Sequence, residues 1–263
     1  MARIKNGLNY HIQFLLNSDN LARNFARKVI TSYRAKRFPS DMDDDFKEIY
    51  CKCKDYTMTS IERMYALYKS VQYVIDREIP GDFVECGVWK GGSTMIIAHT
   101  LLKMKEQNRK IYLYDTYEGM TKPTEKDKII SGSLDTLDLW EKHQKNGYNG
   151  LSYSPLDEVK KNMHSTGYPQ KQLVFIKGKV EDTIPEVIPE QIALLRLDTD
   201  WYASTYHELK HLYKLLSNRG VLIIDDYGYC AGSKEAVDRY FKKNKINVLL
   251  NRIDSSGRVC VKL

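Results

Sequence analysis

Phe83-Val84-Glu85-Cys86-Gly87-Val88-Trp89-Lys90-Gly91-Gly92-Ser93-Thr94 reads as a buried strand that ends in a carboxylate, turns on glycine and opens a helix. In an open α/β sheet that turn lies at the carboxyl end of a strand, where such sheets bind ligands. Glycines there let the backbone approach a ligand without an intervening Cβ. The dinucleotide fingerprint G-x-G-x-x-G would need glycine at position 89, where the chain has Trp89. A cofactor carrying its own positive charge suits Glu85 better than a pyrophosphate. S-adenosylmethionine, with an α-amino group and a sulfonium, is such a cofactor.

Outward from this turn, strand-like and helix-like segments alternate. Ile61, Met64, Leu67, Tyr68, Val71 and Val74 keep helical spacing before Pro80-Gly81, with Thr59 or Ser60 available as the cap. A helix is expected over about 93–105, then strands at 110–114, 173–177, 192–197 and 221–224. Further helices are expected around 156–163, over 206–216 and from about Ser233. Short β-like pieces at 247–250 and 258–262 close the chain. The alternation argues a doubly wound, mostly parallel α/β sheet with an antiparallel hairpin at its end. The polar stretch 117–154 is long for a connection and reads as a lid.

The chain has 263 residues and 42% hydrophobic content, enough for one large α/β domain with an extension. No run approaches the roughly 18 apolar residues of a membrane span, and the amino terminus has no signal pattern, so a cytoplasmic location is expected. Cysteines at 51, 53, 86, 230 and 260 form no C-x-x-C pair, which opposes both a disulfide framework and a zinc ribbon. Residues 1–37 carry eight Lys/Arg and one acid, so this arm accounts for the whole net charge of +7. Leu21, Phe25, Val29 and Tyr33 give it an amphipathic helical pattern, with Arg23, Arg27 and Arg34 on another side. It can rest on an anionic membrane or polysaccharide, or pack on its own domain or on a partner subunit. The body is neutral and lacks a recognition motif, which opposes nucleic-acid binding.

The second expected strand ends in Asp115-Thr116, roughly 28 residues after Gly87, where an acid can accept ribose hydroxyls. Arg196-Leu197-Asp198-Thr199-Asp200 and Ile223-Ile224-Asp225-Asp226-Tyr227 end two more strands. Carboxylates brought together at neighbouring strand ends repel unless a cation joins them. With oxygen ligands alone, a hard ion such as Mg²⁺ is favoured. Alternatively these acids cap the following helices or pair with Arg196 and nearby lysines.

The runs Pro80 to Ser93, Asp115-Thr116-Tyr117-Glu118-Gly119-Met120, Leu197 to Thr205 and Ile223 to Tyr227 together resemble the TylF-like (macrocin) O-methyltransferases. The resemblance spans about 57–241. It implies a class I methyltransferase fold of Rossmann-like type, with S-adenosylmethionine and Mg²⁺ as cofactors. It also implies methylation of a sugar hydroxyl on a nucleotide sugar, a glycosylated natural product or a surface polysaccharide. Carried over, it assigns Glu85, Gly87 and Ser93 to the methionine part of the cofactor and Asp115 to its ribose, with Gly91 and Thr116 also among the cofactor-binding residues. Glu181 and Asp182 fall to the adenine, and Asp198, Asp225 and Asp226 to the metal. Asp198 and His143 are the catalytic candidates, with His143 or one of the aspartates taking the proton. Residues 1–56 form a helical extension and 57–263 the catalytic domain, expected as a homo-oligomer. Two readings compete with this one. An NAD(P)-linked oxidoreductase accounts for the turn and Asp115 but not for the paired acids. A methyltransferase-like scaffold without activity is the other.

Overall fold

The computed structural model describes residues 38–132 and 135–263. The amphipathic arm expected over residues 1–37 lies outside the described residues. The chain divides into two compact units, Met1–Lys47 and Glu48–Leu263. In the first, the described residues hold a turn and the opening of α1 (Asp44–Cys53), where Lys47 and Asp44 form an exposed ion pair.

The second unit is a seven-stranded sheet of order β3-β2-β1-β4-β5-β7-β6. Its strands are β1 (Asp82–Cys86), β2 (Ile111–Asp115), β3 (Leu173–Lys177), β4 (Ile192–Leu197), β5 (Leu216–Ile224), β6 (Asn251–Arg252) and β7 (Arg258–Val261). β1 to β5 run parallel, while β7 is antiparallel to both β5 and β6. The α/β class, the parallel body and the antiparallel terminal hairpin are as the sequence predicts.

Phe83 and Val84 are neighbours in β1 and both are fully buried. Successive side chains of a strand point to opposite faces, so both faces of the sheet are covered. On one face Val84 and Cys86 join Leu195, Leu197, Leu222 and Ile224 against Leu209 and Leu212 of α7 (Tyr202–Leu212) and Val237 of α8 (Ala231–Asn244). α2 (Ile61–Asp76) and α3 (Gly92–Lys103) pack on each other as a separate pair. Ser60 caps α2 by accepting the Arg63 N–H at 3.1 Å.

Three of the expected elements depart from their expected bounds. α7 begins at Tyr202 rather than at 206, because Asp127 of the long connection accepts the Tyr202 N–H at 2.7 Å and supplies the cap that Trp201 lacks. Its end passes into a 3₁₀ turn, Tyr213–Leu215, so Leu216 starts β5; a register shift then separates the Ile192–Leu216 pairing from the Leu194–Val221 pairing. Near the end of the chain only Asn251 and Arg252 pair with β7, since Leu249 is exposed and the expected piece at 247–250 makes no ladder. No helix among the described residues is long and apolar enough to cross a membrane.

Candidate active site

The parallel ladder runs one residue past several strands. The Gly87 N–H donates to Tyr114 O at 2.9 Å, Gly178 to Asp115 O at 3.0 Å, Asp198 to Cys86 O at 2.8 Å and Asp225 to Leu197 O at 2.9 Å. Gly87, Gly178, Asp198 and Asp225 therefore stand in one row at the carboxyl edge. The row crosses the β1/β4 boundary, where the strand order reverses and a crevice opens. That crevice holds about 710 Å³ of free space, open solvent at its mouth included, and its wall includes Gly87, Trp89, Asp115, Thr116, Glu181, Asp198 and Asp200.

Gly87 has φ +83°, and a Cβ there would lie 1.9 Å from the Asp198 carbonyl oxygen. No other residue fits so close an approach of two strand ends. Asp115 ties the turn to β2: its Oδ2 accepts the Val88 and Trp89 N–H groups at 2.7 and 3.0 Å, and its Oδ1 accepts that of Tyr117 at 2.8 Å. Burial raises its pKa, and these backbone donors act against the rise. Trp89, Ser152 and Asp200 line the cleft with positive φ (48°, 51° and 63°), a concentration of strained backbone of the kind found at ligand sites.

The residues expected around the cofactor separate into two groups. Gly87, Asp115, Thr116 and Glu181 reach the cleft wall. Glu85, Gly91, Ser93 and Asp182 are not part of that wall. Glu85 is 0% exposed because its strand position turns it toward α3, where Ser93 and Thr94 donate their hydroxyls to it. Its cross-strand neighbour in the β1–β4 register is Arg196, which completes its shell. Gly91 is the αL cap of α3, and Asp182 is exposed on α6 (Val180–Thr183).

Asp198, Asp225 and Asp226 each bring a carboxylate oxygen within 4.8 Å of the others, and Asp200, Asp226 and the Cys230 sulfur form a second such group. Arg196, 2% exposed, donates to Asp198 at 2.7 Å, to Asp225 at 2.6 Å and to Glu85. Arg63 of α2 donates to the other oxygen of Asp225 and, through Nε, to Asp254 at 3.0 Å. The acids converge, and two of them, Asp198 and Asp225, are paired with arginine. The charge is not balanced. Burial pushes Asp226 well above the usual carboxylate range, and Asp200, Asp198 and Asp225 add to it. Asp200 is pushed up to about 7 by burial and then by Asp198. Three close carboxylates with only oxygen donors, one of them short of counter-charge, fit a hard divalent cation.

The connection 117–154 contains a helix that the sequence reading did not predict, α4 (Thr136–His143), capped by the Asp135 carboxylate on the N–H groups of Leu137 and Asp138. His143 sits at its carboxyl end with Nδ1 donating to Leu139 O at 2.8 Å, and it is not among the cleft residues. Asp127, buried, fastens the connection. One carboxylate oxygen accepts the Thr124 N–H and hydroxyl at 2.8 and 2.7 Å, and the other caps α7. Trp201, also on the cleft wall, donates its indole N–H to Thr121 O at 3.0 Å. Asp127→Ala removes three charge-assisted bonds, each worth about 1.5–3 kcal/mol, at the point joining this segment to α7. Limited proteolysis is expected to cut within 117–154 at least about tenfold faster, a change that about 1.4 kcal/mol of local opening produces. An unchanged digestion pattern would show that Asp127 is not the fastener.

Asp200 stands in a strand-end motif without an expected role, and Arg63, Asp127 and Met58, the last of which also lines the cleft, stand in no motif. Asp200 was open to discovery from its place two residues beyond Asp198 at a strand end. The long-range roles of Arg63 and Asp127 carry no local signal, because Asp225 and Tyr202 lie 162 and 75 residues away in the chain.

The model of the macrocin-O-methyltransferase (TylF) family matches residues 16–262. The chain belongs to the TylF family. The chain is similar to the demethyldecarbamoylnovobiocin O-methyltransferase of Streptomyces niveus, 32% identical over 202 residues, which is 77% of this chain and 74% of that protein. The 8-demethyl-8-(2,3-dimethoxy-alpha-L-rhamnosyl)-tetracenomycin-C 4'-O-methyltransferase of Streptomyces olivaceus is 31% identical over the same shares. The solved structure of the O-methyltransferase NovP superposes with a TM-score of 0.70 at 30% identity, covering 79% of this chain and 82% of that one. The chain is accordingly an O-methyltransferase of class I, Rossmann-like fold, and the oxidoreductase alternative is set aside.

Proposed function

We propose that this chain transfers a methyl group from S-adenosylmethionine to a hydroxyl of a sugar-containing acceptor, with Mg²⁺ held by Asp198, Asp225 and Asp226. The observation that carries the reading is the single row of strand ends, with a glycine turn on one side of the cleft and, on the other, Asp198 and Asp200, the wall members of an undercompensated carboxylate cluster whose Asp225 and Asp226 are buried off the wall. Relatives named for methylating glycosylated natural products support the acceptor class. When bound, the sulfonium cofactor supplies the methyl group and the cation supplies positive charge that makes an acceptor hydroxyl easier to deprotonate.

The chain's own residues do the rest. Gly87 leaves room at the turn, Asp115 and Thr116 face the ribose, and the wall from Gly178 to Glu181 receives the adenine. Asp200 takes the acceptor proton: it stands on the cleft wall two residues beyond Asp198 and beside the acid cluster, and burial and Asp198 push its pKa up to about 7. Trp201, on the same wall, offers an apolar face to a sugar ring. Catalysis is assigned to residues 57–263, and the basic arm 1–37 to an anionic acceptor or surface.

Chelator-treated full-length protein, assayed with labelled S-adenosylmethionine against nucleotide sugars and glycosylated natural products, tests this reading. Transfer is expected to disappear on chelation and to return with Mg²⁺. Undiminished transfer in excess EDTA would remove the metal from the proposal, and transfer to non-sugar phenols alone would remove the sugar.

A further inference from the structure

Asp225 is 1% exposed and is the one member of the acid cluster with a guanidinium on each oxygen. Arg196 Nη2 donates to Oδ1 at 2.6 Å and Arg63 Nη1 donates to Oδ2. A cation that shares Asp225 with Asp198 and Asp226 adds a positive charge beside two others in a poorly solvated place, where like charges a few ångströms apart repel strongly. One guanidinium has to give way. Arg196 cannot, since it lies under the sheet edge with Glu85, Asp198 and Asp225 as its partners.

Arg63 is differently placed. Its side chain keeps 16% of its surface exposed, and Nε holds a second acid, Asp254 Oδ2, at 3.0 Å. Asp254 is itself fixed: it accepts the Ser60 hydroxyl at 2.6 Å and the N–H groups of Ser256 and Gly257 at 2.8 and 2.6 Å. The Arg63 backbone is fixed too, by its N–H bond to Ser60 Oγ. Arg63 therefore has an anchor to keep when it releases Asp225, and only its outermost nitrogen needs to move.

We propose that Arg63 is the exchangeable counter-ion of the cluster: it neutralises Asp225 while no cation is bound, releases it when a divalent cation enters, and so sets the affinity of the site for that cation. This rests on the reading of Asp198, Asp225 and Asp226 as a cation site. Arg63 acts through Asp225 and is a positioning residue, distinct from the groups that touch substrate.

The test is equilibrium Mn²⁺ binding, followed by electron paramagnetic resonance of the free ion, on chelator-treated full-length wild type, Arg63→Met, Arg63→Lys and Asp226→Asn, with thermal unfolding of each with and without Mn²⁺. Arg63→Met is expected to bind Mn²⁺ about tenfold more tightly, the equivalent of about 1.4 kcal/mol. Its Tm is expected to fall further below wild type without metal than when saturated, since the bond to Asp254 is lost in both states. A merely structural arginine would lower Tm by the same amount in both states and leave affinity unchanged or weaker, and that result overturns the proposal. If Arg63→Met does not fold without metal, Arg63→Lys decides. It keeps the charge but cannot bridge Asp225 and Asp254, so tighter binding by a smaller factor supports the proposal and equal or weaker binding overturns it. Wild type that binds while Asp226→Asn does not leaves the cation reading standing whatever Arg63 does. Absence of binding in wild type and in every Arg63 variant overturns both.

Discussion

Arg196→Met is expected to lower the global stability of the protein by about 3–5 kcal/mol, the usual cost of stripping one partner from a buried ion cluster. The substitution roughly conserves apolar volume, so the loss is one of charge. Arg196 stands opposite Glu85 in the β1–β4 register and donates to Glu85, Asp198 and Asp225, of which Glu85 and Asp225 are almost wholly inaccessible. Without it two buried carboxylates lose a cation, and neither has water to replace it. Burial already raises the pKa of Glu85 against the pull of Arg196. Removing Arg196 raises it further. An acid whose folded pKa lies above its unfolded value binds an extra proton in the native state, so stability falls as pH climbs from the unfolded pKa to the folded one. The deficit of Arg196→Met should accordingly be smaller at pH 5 than at pH 8 in urea unfolding. Glu85→Gln placed on top of it should recover part of the loss, since the two sites share one network. A variant within about 0.5 kcal/mol of wild type at pH 8 would show that the cluster is not electrostatically coupled in this way.

The reach of the sequence can be traced along this same network. Hydrophobic runs ending in Glu85, Asp115, Asp198 and Asp225 were legible because a parallel strand buried on both faces has a simple pattern, and ligand residues follow its carboxyl end. The direction of each side chain was not legible in the same way. Glu85 and Gly87 are two residues apart, yet one faces α3 and the other the cleft, and the turn that parts them is set by the backbone of Asp198 in another strand. The start of α7 shows the same dependence, since Tyr202 begins a helix only because Asp127 reaches it from the connection. α4 escaped notice because its eight residues mix Trp140 with charged neighbours and bury only Thr136, which leaves little periodic signal. Arg63 has no motif around it in the sequence. Its two acids, Asp225 and Asp254, become its neighbours only when the terminal hairpin folds beside β5.

Asp200→Asn is expected to reduce kcat by about 10²–10⁴, the range attributed to a general base, with little change in KM for S-adenosylmethionine. Asparagine is the informative substitution. Asp200 holds φ +63°, which asparagine tolerates better than most residues, so the backbone of the cleft wall survives. The N–H of residue 200 still donates to Asp226 Oδ2, now 3.3 Å away, and the amide oxygen can still accept the Cys230 thiol. What disappears is one negative charge among Asp198, Asp225 and Asp226. Stability should therefore hold or rise, which separates loss of chemistry from loss of fold. The pH profile gives a second reading. Asp200, held up to about 7 by burial and by Asp198, serves as a base only when deprotonated, so kcat falls as pH drops through its pKa. A bound cation lowers that pKa and moves the acidic limb to lower pH. The limb should vanish in Asp200→Asn. His143→Ala supplies the contrast: its ring is turned to the Leu139 carbonyl within its own helix, and its effect on kcat should stay below about tenfold, or about 1.4 kcal/mol of barrier. Full turnover in Asp200→Asn together with a collapse in His143→Ala would reverse the assignment of the proton acceptor and would require the connection 117–154 to bring His143 into the cleft during turnover.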